Sequence, residues 1–236
     1  MTFVNIRCIW EHKDNDTILY CDDFPGAFTR GEDLETAGGK MVREVRSYLR
    51  WRGEECPELR ETVIVQEKAS DLQIRDADSD VLFDSEKRPL SREEYEGLKA
   101  LVLKSAADFH ALYTSIPDKN ASCLLPRKTF YGPVPRTAAE MYQHTRSVNA
   151  YYFAEIGVEA SNEGTILECR QRGFQLLEQL PDFLVSGPVE GSYGEWWSLR
   201  KVLRRFLWHD RIHAKAMYRM AVKTFDETIF NPFLFR

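Results

Sequence analysis

Apolar residues recur every three or four positions near the C-terminal end of the chain, a spacing that predicts one long amphipathic helix. Residues 198–224 contain neither glycine nor proline, so the helix can run without interruption. Its apolar stripe consists of Leu199, Val202, Leu203, Phe206, Met217 and Met220. His209 and His213 lie on the same stripe, because residues four apart are one turn apart on one helix face. Two imidazoles in an otherwise apolar face need a polar partner, and a metal ion is one such partner.

Three further helical patterns precede this helix in the second half of the chain. They cover residues 91–116, 137–157 and 165–180, and the first two open on the capping boxes Ser-x-x-Glu and Thr-x-x-Glu. The segment 117–135, rich in proline and asparagine, predicts a loop. Four helices joined by loops predict an up-down four-helix bundle over residues 91–236.

Residues 1–86 have a different pattern, which is typical of a small α+β domain. Four runs are predicted strands: 4–10, 17–21, 61–66 and 72–74. Pro25 and Gly26 follow the second run and are expected to break the sheet there. Helical spacing predicts a helix at 34–51, and the acidic segment 76–84 predicts a loop.

The charge of the chain disfavours one class of function. The formal net charge is −5, whereas a nucleic-acid-binding surface must be basic enough to neutralise phosphates. The pairs Arg200-Lys201 and Arg204-Arg205 form the most basic stripe, and we expect them to be the solvated face of the last helix. No nucleic-acid partner is therefore predicted.

The cysteines and the N-terminal sequence predict a cytoplasmic location. The five cysteines are dispersed, odd in number and without CxxC spacing, a pattern of reduced thiols. The first residues, MTFVNIRCIWEHKD, lack the apolar core of a signal peptide. No apolar run approaches the length of a membrane span, so no membrane partner is expected.

A metal site needs more than the two histidines of the last helix, because catalytic sites commonly use three protein ligands and an open position. His144, on the second predicted helix, flanks an apolar stripe and can reach a groove between helices. His110 has a similar position, and His12 lies near a predicted hairpin turn. The motif HDRIH lacks the glutamate of HExxH, which argues against a zinc peptidase. The alternative is that the histidines are hydrogen-bonded core residues.

The segment EWWSLRKVLRRFLWHDRIH, residues 195–213, resembles the last helix of the DinB/YfiT-like family. Members of that family are four-helix bundles that bind a divalent metal through three histidines, one on the second helix and two in an HxxxH on the fourth. The matching residues here are His144, His209 and His213. The resemblance covers about residues 91–236 and favours metal binding.

The resemblance implies an enzyme in which a divalent metal, Zn²⁺ or Ni²⁺, activates water or a thiol. It suggests a transferase or hydrolase acting on a small molecule, with a low-molecular-weight thiol as a further cofactor. Neither the substrate nor the catalytic residues are identified by the sequence. Glu140, Tyr151 and Arg205 are the polar residues expected to support the metal or to meet the substrate.

The segment DFPGAFTRGEDLETA, residues 23–37, is similar to the strand-to-helix signature of HicB-like domains. Those domains are small α+β modules found in antitoxins and as accessory domains. This gives an alternative function: a non-catalytic regulatory protein with a metal-stabilised bundle, docking a protein partner through residues 1–86. A homodimer formed through exposed apolar helix faces stays open as well.

Overall fold

A four-stranded sheet occupies the N-terminal part of the chain. A computed structural model describes residues 3–226 and 228–235. The strands are β1 (Phe3–Lys13), β2 (Asp16–Cys21), β3 (Phe28–Gly31) and β4 (Glu58–Ala69). Their order is β3-β2-β1-β4, with β1 antiparallel to β2 and parallel to β4. Helix α1 (Leu34–Arg52) follows β3, begins at the side-chain cap of Asp33 and ends at Gly53 in the left-handed conformation.

Strands β1 and β2 are packed on both faces, and their alternate side chains enter two different clusters. Ile6 and Cys8 of β1 belong to the core that includes Met41 and Val45 of α1. The opposite face belongs to a second cluster, whose members are Ile9, Ile18, Tyr20, Phe28, Ile74, Val81, Phe83 and Trp208. The N-terminal sheet therefore lies between its own helix and the C-terminal half of the chain.

The strand predictions for the N-terminal part missed one strand and were wrong about another. The chain leaves the sheet at Pro25 and Gly26 as expected, but β3 follows them and pairs with β2. Gly26 has a φ of +93°, and this left-handed turn returns the chain to the sheet. The run 72–74 does not form a strand, because the chain turns there into a short 3₁₀ helix, Ile74–Asp76.

The C-terminal part is helical, so the chain is α+β with the sheet first. Its main elements are α2 (Arg92–Ser115), α3 (Ala138–Ala154), α4 (Ile166–Leu177) and α5 (Leu199–Thr224). Two short hairpins pair β5 (Lys128–Thr129) with β6 (Gly132–Pro133) and β7 (Val189–Glu190) with β8 (Trp196–Trp197). Helix α2 contacts the other three helices, and α3 contacts α4 and α5. Capping boxes open α2, α3 and α4.

Helix α5 is the most buried element of the C-terminal part. Residues 201–211 are buried without interruption, which covers the full circumference of the helix for three turns. One side faces α2 and α3, and Trp208 reaches the sheet. The main core contains residues from both halves of the chain. The predicted boundary between residues 86 and 91 stays a prediction.

Three of the four residues of the basic stripe, Lys201, Arg204 and Arg205, are buried and Arg200 is half-buried, so the expectation of a solvated face was wrong. Lys201 Nζ donates to the backbone oxygen of Asp80, 2.7 Å away. Arg204 forms an ion pair with Glu86. These cations satisfy groups of the segment before α2, which explains why they are tolerated inside the protein.

Among the described residues, no helix combines the length and apolarity needed to cross a bilayer.

Candidate metal centre

Three histidines from two packed helices lie together. His144 is on the second turn of α3, and His209 and His213 are one turn apart on α5. One ring nitrogen from each lies within 4.8 Å of the others. The Nε2 atoms of His209 and His144 are 3.2 Å apart. The structure thus brings together the three residues that the sequence singled out.

The spacing of the two Nε2 atoms suits a shared metal ion. Zn–N bonds of about 2.0–2.1 Å place neighbouring ligands of a tetrahedral site about 3.3–3.4 Å apart. The 3.2 Å between His144 and His209 is close to that value. The third ring, His213, has its centroid 4.7 Å from that of His144 and 4.5 Å from that of His209. The donor set is therefore one that Zn²⁺ or Ni²⁺ accepts.

The protonation of the cluster favours metal binding, because only a neutral imidazole can be a ligand. Burial lowers the pKa of His209 well below its ordinary value, and the neighbouring His213 and His144 lower it further. Burial and His144 together lower the pKa of His213 to about 3. Loss of solvation also lowers the pKa of His144. All three rings are neutral at pH 7.

The cluster is buried on one side and open on the other. His209 is buried, His213 is half-buried, and His144 is exposed. Access from solvent therefore lies on the side of His144. On the buried side, Nδ1 of His209 has no hydrogen-bond partner among the described residues. This nitrogen carries the proton when Nε2 is the ligand atom.

Arg205, expected to meet a substrate, is buried one turn before His209. Its Nη1 donates to the backbone oxygen of Ser79, 2.7 Å away, and its Nη2 lies 3.8 Å from Glu195. The guanidinium also lies over the rings of Tyr152, Trp197 and Trp208. These contacts tie α5 to the loop that follows β4.

The other two expected supporting residues lie at opposite ends of α3. The carboxylate of Glu140 accepts hydrogen bonds from the backbone N–H groups of Arg136 and Thr137, so it caps the helix. Tyr151 is half-buried two turns after His144, and its ring packs edge-on against Trp197. Burial, followed by the carboxylate of Glu155, raises the pKa of its phenol.

Two acidic residues that pair with buried cations of α4 and α5 were not among the expected site residues. Glu195 pairs with Lys201 at 2.8 Å and lies near Arg205. Asp210, directly after His209, is fully buried and pairs with Arg170 of α4. The sequence signal for Asp210 is a charge next to a histidine on the apolar stripe. No spacing pattern points to Glu195.

The two other histidines lie outside the cluster. The His110 Nδ1 atom is hydrogen-bonded to the hydroxyl of Tyr142 at 2.8 Å, and His12 Nε2 contacts the carboxylate of Glu67 at 3.0 Å.

Comparisons of the chain with protein-family models, with curated proteins and with solved structures found no match. The geometry of the three histidines is therefore the evidence for a metal site.

Proposed function

We propose that the chain is a divalent-metal-dependent enzyme, a transferase or hydrolase, with His144, His209 and His213 as the metal ligands. The observation that carries this is the 3.2 Å approach of His144 and His209, from two different helices, with His213 one turn away. Three neutral imidazoles whose ring nitrogens lie within 4.8 Å of one another each offer a lone pair to a shared ion. A metal ion satisfies all three together, whereas a His–His hydrogen bond satisfies only two.

A divalent ion held there supplies Lewis acidity, which activates a water molecule or a thiol near neutral pH. The protein groups have separate tasks. His209 and His213 supply two ligands one turn apart on a single helix, whose residues 201–211 are buried and therefore held in place. His144, exposed on α3, forms the side of the centre open to a small-molecule substrate and to a low-molecular-weight thiol.

The finer fold assignment belongs to the same proposal. The mutual contacts of α2, α3, α4 and α5 support an up-down four-helix bundle of the DinB-like type. The order of β2, β3 and α1 supports a HicB-like N-terminal domain. All five cysteines are free thiols, which supports a cytoplasmic location.

Metal analysis of the protein purified without chelator tests the proposal. We expect about one Zn²⁺ or Ni²⁺ per chain by elemental analysis. His144→Ala and His213→Ala are expected to lose it, with the helical circular dichroism retained. The matched control is His110→Ala, since His110 lies outside the cluster and its loss leaves the three ligands in place.

A wild-type protein without metal, together with variants that take up Zn²⁺ as wild type does, refutes the metal centre. Activity is then measured on the metal-loaded protein as thiol consumed in the presence of an electrophile, or as acid released on hydrolysis. His144→Ala serves as the inactive reference. Equal turnover by this variant contradicts an enzyme working at the histidines.

A second candidate function, a protein-docking role, is favoured by the edge strand β4. No other strand among the described residues pairs with its outer edge, and Val63 and Val65 are each about 40% exposed on one face. Exposed sheet edges pair with strands of other proteins. Deleting residues 1–86 is a poor test, because the sheet covers Trp208. The sharper test is Val65→Lys, which is expected to release a copurifying partner and to leave the metal content unchanged.

A further inference from the structure

A cavity of about 570 Å³ lies at the ends of α3 and α4, apart from the three histidines. It is formed by the last turn of α3, the C-terminal end of α4, the segment 180–192 and the start of α5. Its apolar lining includes Ile156, Leu177, Leu180, Phe183 and Val189. The volume is within the roughly 300–1,000 Å³ of small-molecule sites.

One charged group is built into this cavity. Glu155 is only 7% exposed, and its Oε2 accepts a hydrogen bond of 2.8 Å from the backbone N–H of Ser192. No lysine, arginine or histidine pairs with it among residues 3–226 and 228–235. A carboxylate this buried is ordinarily paired with a cation, because its desolvation is costly. Glu155 therefore lacks the partner that such a position requires.

Gly191 shapes the chain around this carboxylate. A Cβ atom at that position would lie 1.9 Å from Glu155 Oε2 and 2.7 Å from the Trp197 ring. Glycine thus lets the backbone approach closely enough for the next residue, Ser192, to donate to Oε2. The other oxygen, Oε1, is left without a hydrogen bond from the protein among the described residues.

The rest of the lining is also suited to positive charge. Glu190 is the only other charged residue of the described lining, and it is acidic. The C-terminal ends of α3 and α4 add partial negative charge. The N-terminus of α5 opposes this at Ser198, whose side chain accepts a hydrogen bond from the Lys201 N–H. Tyr151 supplies an aromatic ring that attracts cations, whereas the Phe183 ring already has the guanidinium of Arg92 5.3 Å from its centroid and contributes apolar surface.

We propose that this cavity binds a small organic ammonium ion. Its charged nitrogen pairs with Glu155, and its hydrocarbon body fills the space among Leu177, Leu180 and Phe183. Leu180 and Val189, at 38% and 44% exposed, form an apolar rim through which such a molecule can enter. This site does not depend on the metal centre.

Calorimetric titration with benzylammonium and hexylammonium, with benzyl alcohol as the neutral match, tests the site. Wild type is expected to bind both ammonium ions and to bind benzyl alcohol at least tenfold more weakly. Glu155→Gln should weaken ammonium binding at least tenfold, since the amide can still accept from Ser192 but carries no charge. The matched control Glu159→Gln, an exposed carboxylate four residues on, should bind as wild type does.

His213→Ala is expected to bind both ions normally, which separates the cavity from the histidines. A second variant, Leu180→Lys, brings its own ammonium group to the lining and is expected to abolish binding, whereas Leu180→Gln, which removes the same apolar contact without adding a charge, is expected to weaken binding less. This comparison decides the matter if Glu155→Gln does not fold. Absence of binding to wild type, equal affinity in Glu155→Gln, or equal affinity for benzyl alcohol would overturn the proposal.

Discussion

The guanidinium of Arg170 and the carboxylate of Asp210 form an ion pair in which both side chains are completely withdrawn from solvent, with 2.9 Å between Nη2 and Oδ1. Arg170 also lies over the ring of Phe206, 3.6 Å from the centroid. Because Asp210 directly follows His209, the pair fixes the rotation of α5 against α4. The direction of the histidine side chains is thereby fixed as well.

Replacing Asp210 by alanine should destabilise the protein by about 3–5 kcal/mol, because the Arg170 charge stays buried without a partner. Burial raises the pKa of Asp210 more than Arg170 lowers it, so the intact pair is itself costly to bury. The double change Arg170→Met with Asp210→Leu should recover most of the loss. Urea denaturation measures the free energy of unfolding of both variants and of a control. The control, Glu96→Gln, removes the exposed ion pair with Arg92 and should cost less than about 1 kcal/mol. Similar losses for the buried and exposed pairs would contradict this account.

Two glycine-to-alanine changes in helices should have opposite signs. At Gly173 of α4, an added Cβ would lie 2.0 Å from the ring of Phe153 on α3, so alanine should destabilise by about 1–3 kcal/mol. At Gly97 of α2 nothing lies within 4 Å, and alanine should stabilise by about 0.5–1 kcal/mol through helix propensity. Thermal unfolding followed by circular dichroism compares the two, and a stabilised Gly173→Ala would show that α3 and α4 are not in this contact.

The low pKa of buried Lys201 predicts that the free energy of unfolding depends on pH in the alkaline range. Burial, assisted by Arg205 and Arg204, lowers its pKa to about 8 in the folded protein, although Glu195 opposes the shift. Between about pH 8 and 10.5, the unfolded chain binds a proton at this lysine that the folded protein has released. Stability contributed by this group must therefore rise with pH in that window.

The measurement for Lys201 is the free energy of unfolding of wild type minus that of Lys201→Met, from guanidinium titrations. We expect this difference to increase on the order of 3 kcal/mol between pH 8 and 10.5. Lys223→Met is the control, because Lys223 is exposed on the same helix and its removal should leave the pH dependence unchanged. If the difference in unfolding free energy does not change between pH 8 and 10.5, Lys201 keeps its proton in the folded protein over that range.

Removal of metal by a chelator should lower the midpoint of thermal unfolding. A ligand that binds only the folded state stabilises it by about 2.7 kcal/mol at one hundred times its Kd. His110→Ala should show the wild-type shift, and His213→Ala should show none. A chelator effect that persists in His213→Ala would place the metal elsewhere in the protein.

Local signals of the sequence predicted the helices well. Ser91, Thr137 and Thr165 each cap a helix through contacts between residues three positions apart, and such contacts can be predicted from sequence spacing.

The grouping of His144 with His209 depended on a family resemblance and on the positions of the two residues around their helices. Arg204 was misjudged because its partner, Glu86, is 118 positions away and nothing in the spacing connects them. Glu155 gave no signal, because its lack of a cation is visible only in three dimensions.

The position of Trp208 has a consequence for the synthesis of this protein on the ribosome. Tyr20 and Phe28, which it covers, leave the ribosome long before α5 does. At about 5–20 residues per second, the part of this face that Trp208 covers stays exposed for on the order of ten seconds or more, whereas Ile74, Val81 and Phe83 emerge earlier and cover the rest.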